Sequence, residues 1–429
     1  MNIGVIGTGY VGIISAVVYA DFGNQVWGIT RTQVKVDKMK AGIPPIHEPR
    51  LEEFLQRGLK TKRLHFTTSY KDTLKNCDIV FICVGTPEKP NGEVDLSAVE
   101  AATKSIAQAM TRPTTIVLKS TVPPGIHHHL TKILDKHTKI KYEFASAPEF
   151  LREGSAINDT LYPARIVIGA SSQKAIDALL DIHKSLPGER IVTDIISAQV
   201  IKYAANSLLA TKISFANAMA RICDLVGADV GAVIKGVGTD PRIGHQFIQP
   251  GLGYGGSCFP KDVKGLYYAA KDKGYDFDLL KQVSQINATQ VDYVLAKAEK
   301  VIGNFKNKKV AVWGLAFKPD TDDMREARSV VLINSLLEKG AQITAYDPIA
   351  MDEAKQIFGS KIKFASDPCK AVTEADILFV VTEWNEFKEV DLESIKKCMK
   401  GKILVDGRNI YDPAEIKSLG FTYIGVGRD

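Results

Sequence analysis

Three glycines near the start of the chain restrict its fold more than any other feature. Asn2-Ile-Gly-Val-Ile6 has the apolar character of a short buried strand. Gly7-Thr-Gly-Tyr-Val-Gly12 follows, an apolar helical stretch runs to about Phe22, and Gln25-Val-Trp-Gly-Ile-Thr30 forms a second apolar run. A G-x-G-x-x-G motif therefore stands where a strand gives way to a helix inside a βαβ unit. There its glycines allow a tight turn, close approach to a pyrophosphate, and helix–strand packing. The helix N-terminus favours the negative charge. The stretch predicts a dinucleotide site built on Gly7, Gly9, Tyr10, Val11 and Gly12.

Strand and helix signals keep alternating beyond it. Asp78–Val84 ends in Gly85-Thr86-Pro87, Thr114–Leu118 ends in Lys119-Ser120-Thr121, and Tyr142–Ala145 runs into Pro148-Glu149-Phe150-Leu151-Arg152-Glu153. Parallel sheets bind ligands beyond the carboxyl ends of their strands. Gly85, Thr86, Thr121, Glu149 and Glu153 are thus expected to line one cleft, with helix capping the rival role for Thr121 taken alone. His127-His-His129 does not have metal-site spacing, because consecutive residues do not share a helix face.

The pattern changes after about Asp194. Ile195 to about Val226 reads as one long helix without Gly or Pro, and Lys202 and Asn206 (i and i+4) point off the same side of it. Helical signals continue through 265–273 and 279–303. Strand signals resume from about Asn304, and Ala375–Thr382 echoes Cys77–Val84, but this second α/β half lacks G-x-G-x-x-G. The expected class is α/β, with two Rossmann-like parallel-sheet domains joined by a long central helix and a helical dimerisation domain. The expected boundaries are 1–194 for dinucleotide binding, 195–303 for a dimerisation and substrate platform, and 304–429 for the second Rossmann-like domain.

Within the helical middle lies Gly251-Leu-Gly-Tyr-Gly-Gly-Ser-Cys-Phe-Pro-Lys-Asp262. Glycines at this density let backbone approach a ligand closely. Cys258 in such a loop can reach a substrate, Lys261 favours its thiolate, and Asp262 stands four residues on as a base or water-orienting group. The competing reading is a glycine-rich turn with an inert cysteine.

The net charge of +6 includes no basic run of five or more, which suits an anionic small molecule and argues against nucleic acid. No apolar run is long enough to span a membrane, and the sequence opens without a charged leader, so no membrane association and a cytoplasmic location are expected. The six cysteines include no CxxC pair, the usage of a reducing compartment, and no metal is expected.

Gly253–Asp262, Pro148–Ala156, Lys202-Tyr-Ala-Ala-Asn206, Lys119-Ser-Thr-Val-Pro123 and Phe317-Lys318-Pro-Asp-Thr321 with Arg325 recur in one family. Through them the chain resembles the UDP-glucose/GDP-mannose dehydrogenases along essentially its whole length. It is more similar to the UDP-glucose branch than to the GDP-mannose or UDP-N-acetylmannosamine branches. The resemblance implies a homodimer that oxidises a nucleotide sugar's C6 alcohol to a carboxylate with two NAD. Cys258 would be the nucleophile, forming a thiohemiacetal and then a thioester. Lys202 and Asn206 would be the oxyanion-side groups, Asp262 and Thr121 the partners of the catalytic water, and Glu149 and Glu153 the acid/base carboxylates. Phe150, Leu151, Arg242, Gly251, Tyr254, Gly255, Lys318 and Arg408, with Glu149, Lys202 and Asn206, would contact the nucleotide sugar. Gly85, Thr86, Thr121, Glu153 and Arg325 would contact the cofactor.

Two positions depart from the family. An acidic residue usually follows the second strand, where it holds the ribose 2′-hydroxyl and repels a 2′-phosphate; here the sequence is Thr30-Arg31-Thr32. NAD remains the expected cofactor, with NADP also accepted. Alternatively, Arg31 points to solvent, Thr30 caps the next helix, and NAD use is unchanged. Ala218 stands where a glutamate is common, and the sequence gives it no functional reading. Two rival functions are a two-electron sugar-acid or 3-hydroxyacid dehydrogenase, which needs no nucleophilic cysteine, and a non-catalytic nucleotide-sugar or dinucleotide binder, which does not need all four of Cys258, Lys202, Asn206 and Asp262.

Overall fold

A computed structural model describes residues 1–428. The chain forms two compact units, one of residues 1–205 with 268–273 and the other of residues 206–267 with 274–429. The helix Ile195–Val226 runs through the boundary without interruption over 32 residues, as its lack of Gly and Pro predicts.

The first unit is built on strands β1 (Asn2–Ile6), β2 (Gln25–Ile29), β3 (Leu64–Thr67), β4 (Ile79–Ile82), β5 (Thr114–Leu118), β6 (Tyr142–Ser146), β7 (Arg165–Ala170) and β8 (Glu189–Thr193). They form one sheet in the order β3-β2-β1-β4-β5-β6-β7-β8. The central strands β4 and β5 are buried along their whole length, the pattern of a sheet covered on both faces. Every pairing is parallel except β6 with β7. That exception matters for the site. Because β7 returns antiparallel, the chain does not cross the sheet after Ser146, and the segment 147–164 stays at the carboxyl end of β6.

The second unit holds β9 (Lys309–Trp313), β10 (Gln342–Tyr346), β11 (Lys363–Phe364), β12 (Ile377–Val380), β13 (Ile403–Asp406) and β14 (Thr422–Ile424), all parallel, in the order β11-β10-β9-β12-β13-β14. The echo of Cys77–Val84 in Ala375–Thr382 is structural. β4 and β12 each pair with the first strand of their sheet, on the side opposite the second strand. A small apolar cluster of Ala210, Tyr254, Val263, Leu280 and Val283 fixes the helix that follows Cys258. Among the described residues no helix is long and apolar enough to cross a membrane.

Candidate active site

In the first unit the three motif glycines divide their work as the spacing requires. Gly7 has φ +92°, and a Cβ there would meet the Cys83 carbonyl oxygen at 2.9 Å. A Cβ on Gly12 would overlap the Gly7 carbonyl oxygen at 1.8 Å, so this glycine permits the helix to pack on the strand. Gly9 has nothing within 4 Å of a built Cβ; its hydrogen atom keeps the approach open for a ligand. Thr8 is buried with its Oγ1 unpartnered. An open backbone cradle at a helix start, with a buried unpaired hydroxyl beside it, fits a dinucleotide pyrophosphate.

Tyr10 and Val11 open the helix Tyr10–Asp21. The Tyr10 hydroxyl donates to Glu48, whose carboxylate also accepts the backbone N–H groups of Gly154 and Ala156, both at 2.7 Å. Burial, then Glu48, then Glu153 push the Tyr10 hydroxyl well above its ordinary range, so it stays a donor. Glu48 therefore fastens the Glu149–Ala156 segment to the dinucleotide helix. No periodicity or motif marked it, since its partners are 38 and more residues away in sequence.

At the other strand ends, Gly85 is exposed and Thr86 is buried, its hydroxyl donating to the Thr121 carbonyl at 2.9 Å. Glu149 lies beyond β6, and Lys202 Nζ donates to its Oε1 at 3.0 Å; both side chains are under 10% exposed. Burial pushes the Glu149 carboxyl up, but Lys202, the Leu151 N–H and Lys119 outweigh it and leave the group below its ordinary value. Phe150 offers its ring to two cations, the Arg165 guanidinium at 3.7 Å and Lys202 Nζ at 5.4 Å. Leu151 donates its N–H to Glu149 Oε2 at 2.5 Å.

The adenosine end of the motif differs from the capping alternative. The N-cap of the helix Gln33–Lys40 is Thr32, not Thr30, and its hydroxyl makes no capping bond. Thr30 donates its N–H to Thr67 O at 3.1 Å, and Arg31 is exposed, with its charge acting on the Tyr70 hydroxyl.

In the second unit, the glycine loop is held by its backbone. Gly251 N–H donates to Asn217 and its carbonyl accepts from Gln290, both at 2.8 Å; Tyr254 exchanges two hydrogen bonds with Asn287. Gly253 (φ +100°) and Gly256 (φ +81°) occupy conformations other residues avoid, and a Cβ on Gly255 would meet the Glu326 carbonyl oxygen at 2.3 Å. Arg408 reaches the Gly253 carbonyl at 3.2 Å and Phe317 O at 3.3 Å. Lys318 stands over the Phe317 ring. Arg328 is buried against the same loop, its Cδ 3.4 Å from a Cβ built on Gly253, and burial lowers its guanidinium below the ordinary value. Sequence reasoning passed over Arg328 because it reads as the polar start of an amphipathic helix.

Cys258 immediately precedes the helix Phe259–Lys271 and is partly exposed. Asp262, one turn on, donates its N–H to the Cys258 carbonyl at 2.8 Å. Its carboxylate is 1% exposed and accepts from Asn206 Nδ2 at 2.6 Å and Lys261 Nζ at 2.5 Å. Lys261, expected beside the thiol, has its ammonium on Asp262. The buried thiols of Cys77, Cys83 and Cys223 are unsuited to attack: burial pushes Cys77 and Cys83 up to about 12 and raises Cys223. Arg242 and Arg325 are exposed and ion-paired to Asp240 and Asp323.

Three family models match the chain: the NAD-binding domain (residues 1–187), the central domain (196–289) and the UDP-binding domain (311–413) of the UDP-glucose/GDP-mannose dehydrogenase family. The UDP-glucose 6-dehydrogenases TuaD and YwqF of Bacillus subtilis (strain 168) are 42% and 43% identical to the chain; all of it is covered, with 93% and 98% of the relatives. The solved UDP-glucose dehydrogenase of Pyrobaculum islandicum has a TM-score of 0.94 at 37% identity, covering 100% of this chain and 98% of that one.

Proposed function

The chain belongs to the UDP-glucose/GDP-mannose dehydrogenase family, and from that premise we propose that it oxidises UDP-glucose to UDP-glucuronate in two steps through a covalent adduct on Cys258. One arrangement supports this most directly. Cys258 stands at the head of a helix, and one turn along it is a buried carboxylate, Asp262, held by Asn206 and Lys261.

NAD, when bound, accepts hydride, and Gly7, Gly9, Gly12, Gly85, Thr86 and Arg325 are the residues assigned to hold it. The protein's own groups handle protons and charge. Glu149, ionised at neutral pH by its cationic neighbours, and Glu153 take the C6 hydroxyl proton. Lys202 stabilises negative charge on the C6 oxygen. The helix N-terminus favours the Cys258 thiolate, which adds to the aldehyde to give a thiohemiacetal. After the second oxidation the adduct is a thioester, and Asp262 with Thr121 orients the water that hydrolyses it. Asn206 keeps the Asp262 carboxylate in place. Arg408, Lys318, Tyr254 and the backbone of Gly251–Gly255 hold the nucleotide sugar, with Arg242 assigned to the same ligand; Arg328 adds a buried positive charge beside Gly253.

The Thr30-Arg31-Thr32 segment, with Arg31 and Thr32 exposed, relaxes cofactor choice so that NADP is accepted beside NAD. The active species is a dimer in the cytoplasm, formed through the long helix.

Purified protein given UDP-glucose and NAD is expected to yield two reduced nicotinamides per sugar, with the acid as product. Cys258→Ala is expected to lose acid formation by orders of magnitude while still binding NAD. One reduced nicotinamide per sugar with free aldehyde, or turnover of UDP-N-acetylmannosamine or GDP-mannose but not of UDP-glucose, would overturn the proposal.

A further inference from the structure

Two cysteines outside the loop of Cys258 meet on the second unit. Cys369 lies in the short helix Pro368–Val372 and Cys398 ends the helix Leu392–Cys398. Their sulfurs are 2.9 Å apart, Cys369 is exposed and Cys398 is partly exposed. The backbone around them is fixed. Asp367 caps the first helix through Lys370 N–H at 2.8 Å, and the Cys398 carbonyl accepts from Glu374 N–H at 2.9 Å. Of the remaining cysteines, Cys77, Cys83 and Cys223 are buried.

We propose that Cys369 and Cys398 form a redox-modifiable pair that closes to a disulfide when the protein meets a hydroperoxide. The proximity of the sulfurs, their access to solvent and their anchored backbones carry the inference. The Cys369 thiol is pushed up to about 11, first by its hydrogen bond to Cys398, then by burial, the charge of Cys398 and Asp367, with Lys370 opposing. One sulfur of the pair attacks the distal peroxide oxygen, the O–O bond breaks, and an alcohol (water from hydrogen peroxide) leaves with the proton that thiol gives up. That cysteine is then a sulfenic acid. The other sulfur attacks it, the S–S bond forms, and hydroxide leaves with the second thiol's proton as water. Two thiols give two electrons to the peroxide, and the products are a disulfide, an alcohol and water. In a reducing compartment the bond is transient and dithiol reductants reopen it.

The bond would tie the helix before β12 to the helix before β13, closing a loop between positions 29 apart. Cross-linking restricts the unfolded chain, so the oxidised form should unfold at a higher urea concentration than the reduced form.

The test treats the full chain with hydrogen peroxide, blocks remaining thiols with an alkylating agent and maps peptides by mass spectrometry. The expected product is a Cys369–Cys398 cross-linked peptide that dithiothreitol removes. In Cys369→Ser and in Cys398→Ser the expected product is a sulfenic acid at the remaining cysteine, trapped by dimedone, with no cross-linked peptide. Wild-type protein in which Cys258 oxidises while Cys369 and Cys398 remain alkylatable would overturn the proposal. Neither variant alters a residue assigned to substrate or cofactor, so both should retain wild-type turnover before oxidation.

Discussion

Thr30 and Arg31 are the residues at which, on the proposed function, this chain would choose its cofactor. A carboxylate at the end of β2 would accept hydrogen bonds from a ribose 2′-hydroxyl and repel a 2′-phosphate. Thr30 does not repel, Arg31 is an exposed cation, and the Thr32 hydroxyl is not used in capping. The expected outcome is measurable turnover with NADP at saturating UDP-glucose. Thr30→Asp with Arg31→Ile should move the ratio of kcat/KM values toward NAD by about 1–3 kcal/mol, the scale of one charge-assisted hydrogen bond and one removed attraction. An unmutated enzyme with no detectable NADP rate would reject the idea. The residues readable from sequence here were those with a backbone reason to exist. Gly7, Gly9 and Gly12 announce themselves because only glycine fits a turn, an open approach and a close packing contact. Glu48 and Arg328 do not, since a buried charge looks the same in sequence as a solvated one until its partners are known.

The element to which the proposed function gives the most chemistry is the long helix, with Lys202 and Asn206 one turn apart. The structure pairs Lys202 with Glu149 in a buried setting. Removing one partner of such a pair strands the other charge and costs about 3–5 kcal/mol. Lys202→Ala should therefore lose turnover and also melt early. Lys202→Met with Glu149→Gln should recover much of the stability while turnover stays low; recovery of turnover with stability would show that Lys202 is structural only. The pH dependence has a definite sign. Glu149 is held below its ordinary value of 4.5, so its contribution to stability is present above that value and is lost as pH falls through the lower folded one. Wild type should lose more urea stability than Glu149→Gln on acidification from about pH 5 downward, and parallel curves would contradict the pairing. The helix was legible from 32 residues without a breaker. The antiparallel return of β7 was not, because strand direction is set by where the connecting chain emerges, and Pro148–Pro163 has no period that reveals it.

At the scale of the whole molecule, the two sheets follow from strand–helix alternation, and the echo between Cys77–Val84 and Ala375–Thr382 places β4 and β12 in matching sheet positions. What alternation does not disclose is the surface that the long helix leaves uncovered. Leu208, Phe215 and Ile222 are 63%, 52% and 47% exposed, and they recur every seven residues. A seven-residue repeat drifts only about 20° per heptad, so the three side chains form one stripe. Thr211 and Ala218, both half-buried, fall between them on the same face. This gives Ala218 a physical reading: a glutamate there would put a charge into the stripe, and alanine keeps it apolar. An exposed apolar row on an uninterrupted helix is a surface for another helix, and a second copy of this chain offers the same row, which a two-fold axis can pair with itself. Phe215→Asp would bury two like charges near that axis, whereas an unpaired surface would gain only solubility. Light scattering on a sizing column should give a dimer mass for the wild-type chain and a monomer mass for Phe215→Asp, with Ala218→Glu intermediate. The circular dichroism of both variants should match wild type, because Phe215 is exposed and Ala218 is only half-buried within one chain. A wild-type monomer at micromolar concentration, or a dimer unaffected by Phe215→Asp, would remove the stripe as the subunit contact.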